Sequence, residues 1–81
     1  MRHGRDEYEH IQDSKGVIGE DEPVFLMRAK DLSAPAVVEE WARLAEESGA
    51  HGRAATARAW ADEMRAWQET PGNHTQYPAD A

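Results

Sequence analysis

Asp21-Glu22-Pro23-Val24-Phe25-Leu26-Met27-Arg28-Ala29-Lys30-Asp31 is a stretch in which consecutive large apolar residues are bracketed by charge on both sides. Val24 to Met27 is a continuous apolar run of strand length, and Pro23 stands at its start, where a ladder needs no donor. The expectation is one short, largely buried strand with the rest of the chain laid against it. A lone strand cannot satisfy its own backbone donors and acceptors. Val17-Ile18 is too short to pair with it, and everything after Ser33 has helical period. The pattern therefore predicts a homo-oligomer in which the strand pairs with its copy across a two-fold axis.

Downstream, Asp31-Leu32-Ser33-Ala34-Pro35 reads as a helix start, with Asp31 or Ser33 as cap and Pro35 in the first turn, where its missing donor costs nothing. A first helix is predicted from about Ala34 to Ser48, with Val37, Val38, Trp41, Leu44 and Ala45 as its apolar stripe and Gly49 as its stop. A second helix is predicted from between His51 and Arg53 to about Glu69, ended by Pro71-Gly72. Ala57, Trp60, Met64 and Trp67 share one face of it, and Arg58 and Asp62 are spaced as an i, i+4 pair. The short connection makes the two helices an antiparallel hairpin, expected to pack through Trp41, Leu44, Trp60, Met64 and Trp67.

Upstream, Asp6 to Gln12 has the pattern for one or two helical turns, Asp13-Ser14-Lys15-Gly16 for a turn, and Val17-Ile18 for a small apolar anchor. The fold class is thus mainly α, a small α+β chain of one short strand followed by a helical hairpin. Residues 1–20 are expected to form a polar, partly ordered arm, 21–70 the domain, and 71–81 a flexible tail.

The chain of 81 residues has room for one domain with a small core. Charged residues make up 31% and apolar residues 40%, which suits a helical protein with a wet surface. A net charge of -7 and a pI near 4.9 argue against coating of duplex nucleic acid, which needs a basic face. No cysteine is present, so neither disulfides nor thiolate metal ligands are available. No apolar segment follows Arg2, His3 and Arg5, and no run approaches the length of a membrane span, so neither a signal peptide nor a membrane association is expected. The expected location is cytoplasmic.

Ile11-Gln12-Asp13 with Gly16, then Asp21 to Leu26 with Arg28 and Asp31, then Trp41, then Met64 with Trp67, resembles a family of short uncharacterised proteins of bacterial, prophage and phage genomes. The resemblance spans roughly Tyr8 to Trp67. Relatives in that family often have Pro where this chain has Ser14, a difference confined to a turn. The resemblance implies a domain rather than a mechanism, since the family brings no established activity, and its phage setting suggests a counter-defence role.

Signs of catalysis are absent. His3, His10, His51 and His74 lie far apart, with no spacing for a metal, and Ser14, Ser33 and Ser48 have no histidine placed to activate them. Glu20-Asp21-Glu22 reads as a solvated edge before the strand rather than a cation site. No enzyme activity, cofactor or metal is expected.

The sequence feature with binding character is the exit of the strand, where Arg28 and Lys30 precede a helix N-terminus that favours an anion such as phosphate. Arg53 or Arg58 could join from the second helix, and Trp41 could stack on a base. The plainer reading pairs Arg28 and Lys30 with Asp31 and neighbouring glutamates, and places the tryptophans in the core. The first functional expectation is a non-enzymatic small-ligand binder, in its most concrete form an oligomeric phage protein that sequesters a nucleotide-derived signal. The alternative is a helical protein–protein interaction module that inhibits or scaffolds a host partner. A concave basic pocket holding Arg28 or Lys30 would favour the first, and an exposed apolar patch the second.

Overall fold

The computed structural model describes residues 1–4 and 13–78. The helical turns expected over Asp6–Gln12 and the last residues of the expected tail, 79–81, lie outside the described residues. Two helices dominate: α1 (Ala34–Glu47) and α2 (His51–Glu69) form a hairpin. Two very short strands, β1 (Arg2–His3) and β2 (Pro23–Val24), pair in parallel.

The turn between the helices follows from local chemistry. Gly49 takes a φ of +90°, Ala50 N–H donates to Ala45 O at 2.8 Å, and Gly49 N–H donates to Glu46 O at 3.0 Å. This pair of bonds is the Schellman closure, which satisfies the last carbonyls of α1 and reverses the chain at once. At the other end of α1, the Asp31 carboxylate accepts from Ser33 N–H at 2.8 Å and from Ser33 Oγ at 2.6 Å. Ser33 is the N-cap residue but makes no side-chain bond into the helix. Asp31 thus fixes the turn that launches α1, and Pro35 enters the first turn as its sequence position predicts. α2 ends with Thr70 Oγ1 donating to Ala66 O, Asn73 Nδ2 donating to Trp67 O at 2.8 Å, and Gly72 at a φ of +92°.

The hairpin does not pack through its large side chains. Its buried residues are Ala34, Pro35, Ala42 and Ala45 on α1 and Ala54, Ala57 and Ala61 on α2, with Val38 and Ala50 packed beside them. No large side chain among the described residues is fully buried. The expected core of Trp41, Leu44, Trp60, Met64 and Trp67 is therefore replaced by an alanine seam. The physical reason lies in the helical period. Val38, Ala42 and Ala45 form one column of α1, and Val37, Trp41 and Leu44 form the column next to it. Both have the same spacing, and the column of methyls lets the second helix approach more closely.

The strand is also shorter than its sequence suggests. Only Pro23 and Val24 are in the ladder, while Phe25 is 64% and Leu26 37% exposed. Its partner is intrachain: Arg2 N–H donates to Glu22 O at 2.8 Å and Gly4 N–H donates to Val24 O at 2.7 Å. This removes the reason given above for pairing β2 with a second chain. Gly4 gives room for the approach, because a Cβ there would lie 2.6 Å from Phe25 Cδ2 and the ring would have to shift. A second small bridge joins Asp31 to Gln76, with Gln76 N–H donating to Lys30 O at 3.0 Å and Leu32 N–H to Gln76 O at 2.9 Å. Gln68 Nε2 donates to Ala29 O at 2.9 Å and to Asp31 O at 3.1 Å, tying the end of α2 to the same segment.

Candidate functional site

The two flanks of the hairpin differ in chemistry. On one, polar contacts cross between the helices: Arg65 Nη1 donates to Glu39 and Arg58 Nη1 lies 3.1 Å from Glu46 Oε2 as ion pairs, and His51 Nδ1 lies at hydrogen-bond distance, 2.6 Å, from Glu46 Oε1. Arg65 also stands 3.6 Å from Asp62, so Asp62 has Arg65 as its neighbour rather than the Arg58 of the expected i, i+4 pair. The hydrogen bond from Arg65 holds the Glu39 carboxyl below the usual glutamate range. The bonds from His51 and then Arg58 do the same for Glu46, and Arg43 does so for Glu40 on the outer surface of α1.

On the other flank the alanine seam is bordered by the large apolar residues. Val37, Trp41 and Leu44 recur at i, i+4 and i+7 on α1, and Arg53, Trp60 and Trp67 recur every seven residues on α2, with Met64 beside them. Trp41 is 51%, Trp60 61% and Trp67 41% exposed. With indole side chains near 200 Å² each, these three alone leave roughly 300 Å² of apolar surface in water. Val37 and Leu44, each about half exposed, bring the apolar area into the range of the largest patch on a typical monomer, which is often functional. Within it lies an open groove of about 300 Å³ lined by Trp41, Leu44, Ala45, Ser48, Ala50 and Arg53.

The residues singled out from sequence separate into two places. Trp41 and Arg53 come together in the groove. Arg58 lies on the opposite flank, held by Glu46. Arg28 and Lys30 lie just before α1, at the far end of the hairpin from the Gly49 turn. A helix of 14 residues spans about 21 Å, so these two cations do not share a site with Arg53. At the start of α1 several backbone donors are taken by the chain's own groups. Ser33 N–H is taken by the Asp31 carboxylate, Ala34 N–H by Asp31 O, Pro35 has no N–H, and Val37 N–H bonds Ser33 O. The chain's own carboxylate already stands where the anion was expected.

The helical period predicts Trp41, Leu44, Trp60, Met64 and Trp67 in the core, with Val37 on the same apolar stripe of α1. The signal that could have placed them outside was the width of the pattern: two adjacent apolar columns on α1 exceed what one neighbouring helix covers. Among the described residues there is no group of three or more His, Cys, Asp or Glu placed to hold a metal ion, and no helix long and apolar enough to cross a membrane. Comparison with known proteins gives no family model, no curated protein and no solved structure that this chain matches.

Proposed function

We propose that this chain is a non-enzymatic interaction module that engages a protein partner through the Val37–Trp41–Leu44 and Trp60–Met64–Trp67 flank of its helical hairpin. The observation that carries the reading is the division of labour between side chains. Alanines close the hairpin, and the residues with most apolar area are left on one surface. Tryptophan and arginine are the residues that dominate binding energy when they become buried between proteins, and this flank carries three tryptophans with Arg53 among them. The test is a pair of measurements on the Trp41→Ser/Trp60→Ser/Trp67→Ser variant. Helical circular dichroism is expected to persist, because the seam is untouched, while binding of a hydrophobic dye is expected to fall sharply. Dye binding equal to that of the parent chain would overturn the proposal.

A second reading is favoured by the groove itself. An indole and a guanidinium on one concavity suit a small ligand with an aromatic ring and a phosphate, such as a nucleotide-derived signal. Titration calorimetry with cyclic dinucleotides and ADP-ribose derivatives checks it. Binding that disappears in Arg53→Ala is the expected result, and no heat from any ligand would remove this reading.

A further inference from the structure

We infer that the partner on the tryptophan-bearing flank is a second copy of this chain, and that the two hairpins form a two-fold, four-helix bundle. The inference rests on the interaction reading above and names its occupant.

A two-fold axis parallel to the helices turns the flank of one copy onto that of the other. It lays each α1 antiparallel on the partner's α2 and leaves the level along the bundle unchanged. Levels can be read within one chain from the residues that meet across the hairpin: Arg58 with Glu46 and Arg65 with Glu39, and Arg53 beside Leu44 and Ser48. On that scale Trp41 stands level with Trp60, so the central indole of each helix meets the central indole of the opposing one. Arg53 stands level with the Leu44–Ser48 end of the copy's α1, where Glu47 borders the apolar column. Arg53 is a cation on this largely apolar flank, and the outer edge of α1 carries Glu40 and Glu47 gathered about the single guanidinium of Arg43, which leaves that rim with a net negative charge. The charge on the flank of one copy thus matches the charge on the rim of the other, in both directions at once, as an isologous contact requires. The seam inside each hairpin holds only small side chains, so stacking two flanks supplies the layer of large residues that one chain lacks.

The experiment is multi-angle light scattering with tryptophan emission on the parent chain, Trp41→Asp/Trp60→Asp, Arg53→Glu and the Arg53→Glu/Glu47→Arg exchange. A dimer is expected for the parent, a helical monomer for the aspartate variant, at least tenfold weaker association for Arg53→Glu, and recovery in the exchange. A parent dimer that persists in the aspartate variant overturns the inference, because assembly then uses another surface. A monomeric parent with water-exposed, red emission overturns the second copy as occupant but leaves the interaction reading in place. A monomeric parent with blue emission overturns both, since the indoles would be buried within one chain. Failure of the exchange to recover association overturns the axis proposed here.

Discussion

The two flanks of the hairpin are built from the same two helices, one column of residues apart, and they make different use of water. The ion-paired flank keeps Glu39, Glu46, Arg58, Arg65 and His51 solvated while they reach across the seam. The other flank leaves three indoles, Leu44 and Val37 about half in water. Exposed pairs of charge are cheap to leave in solvent and weak as stabilisers. Exposed indoles gain from any surface that dries them. The hairpin's internal seam and its exposed apolar surface are separate features held in adjacent columns.

The largest expected effect comes from breaking the seam on which both flanks depend. Ala42 is fully buried between the helices, and Ala42→Leu should force them apart at a cost of about 1–3 kcal/mol. A thermal melt should show the midpoint falling by several degrees per kcal/mol, about 4–8 °C for a domain of this size. A midpoint unchanged by the leucine would mean that the helices are not in close contact at this position.

Next comes the turn that sets the helices in register. Gly49 lies at a φ of +90°, where an L side chain is disfavoured, so Gly49→Ala should cost about 1–2 kcal/mol by urea unfolding. Gly52 has no positive φ and nothing within reach of an added Cβ. Gly52→Ala should stabilise by about 0.5–1 kcal/mol through helix propensity, which makes it the control.

The tryptophan flank is sharpened by a smaller number. Trp60→Ser in dilute solution, where copies are apart, should change unfolding free energy by no more than about 1 kcal/mol, far below the roughly 3–5 kcal/mol of a buried tryptophan. A loss in the larger range would return Trp60 to the core and erase the contrast between flanks.

The smallest effect belongs to the ion-paired flank. Glu39 and Glu46 of this flank, and Glu40 on the outer surface of α1, have carboxyls held below the usual range by their arginine and histidine partners. A lowered folded-state pKa favours the folded chain above the unfolded value, about 4.3 for glutamate, and the advantage is lost as pH falls through the lower folded value. Helix melts should therefore be flat from neutral pH to about 5 and weaken only below it. Substitution of Glu39, Glu40 and Glu46 by glutamine should flatten that decline.

Much of the hairpin was legible in the residues. The Pro35 and Gly49 signals bracket α1, and Pro71-Gly72 follows the end of α2, because caps and breakers act locally and leave their chemistry in sequence. Which apolar column the helices would share was not legible, because adjacent columns repeat with the same 3.6-residue period and differ only in the size of the side chains. The partner of β2 was hidden for another reason. Arg2 and His3 carry no strand pattern, and their pairing rests on backbone amides with one further bond from Arg2 Nε to Asp21 O, Gly4 giving room beside Phe25. Of the candidate ligand residues, the meeting of Trp41 with Arg53 in one groove depends on the antiparallel return of α2, whereas Asp31 is legible in sequence as a competitor beside Arg28 and Lys30, though its bonds to Ser33 are not.

The clasp between Gln76 and residues Lys30 and Leu32 has a kinetic meaning. The hairpin closes between neighbours in sequence across a three-residue turn, so it can zip early from Gly49 outward. The clasp joins positions more than forty residues apart and has few contacts to stabilise it. It should therefore form after the helices and open before them. In hydrogen exchange the amides of Leu32 and Gln76 should behave as a pair, trading with solvent together and faster than those of Ala42 or Ala57.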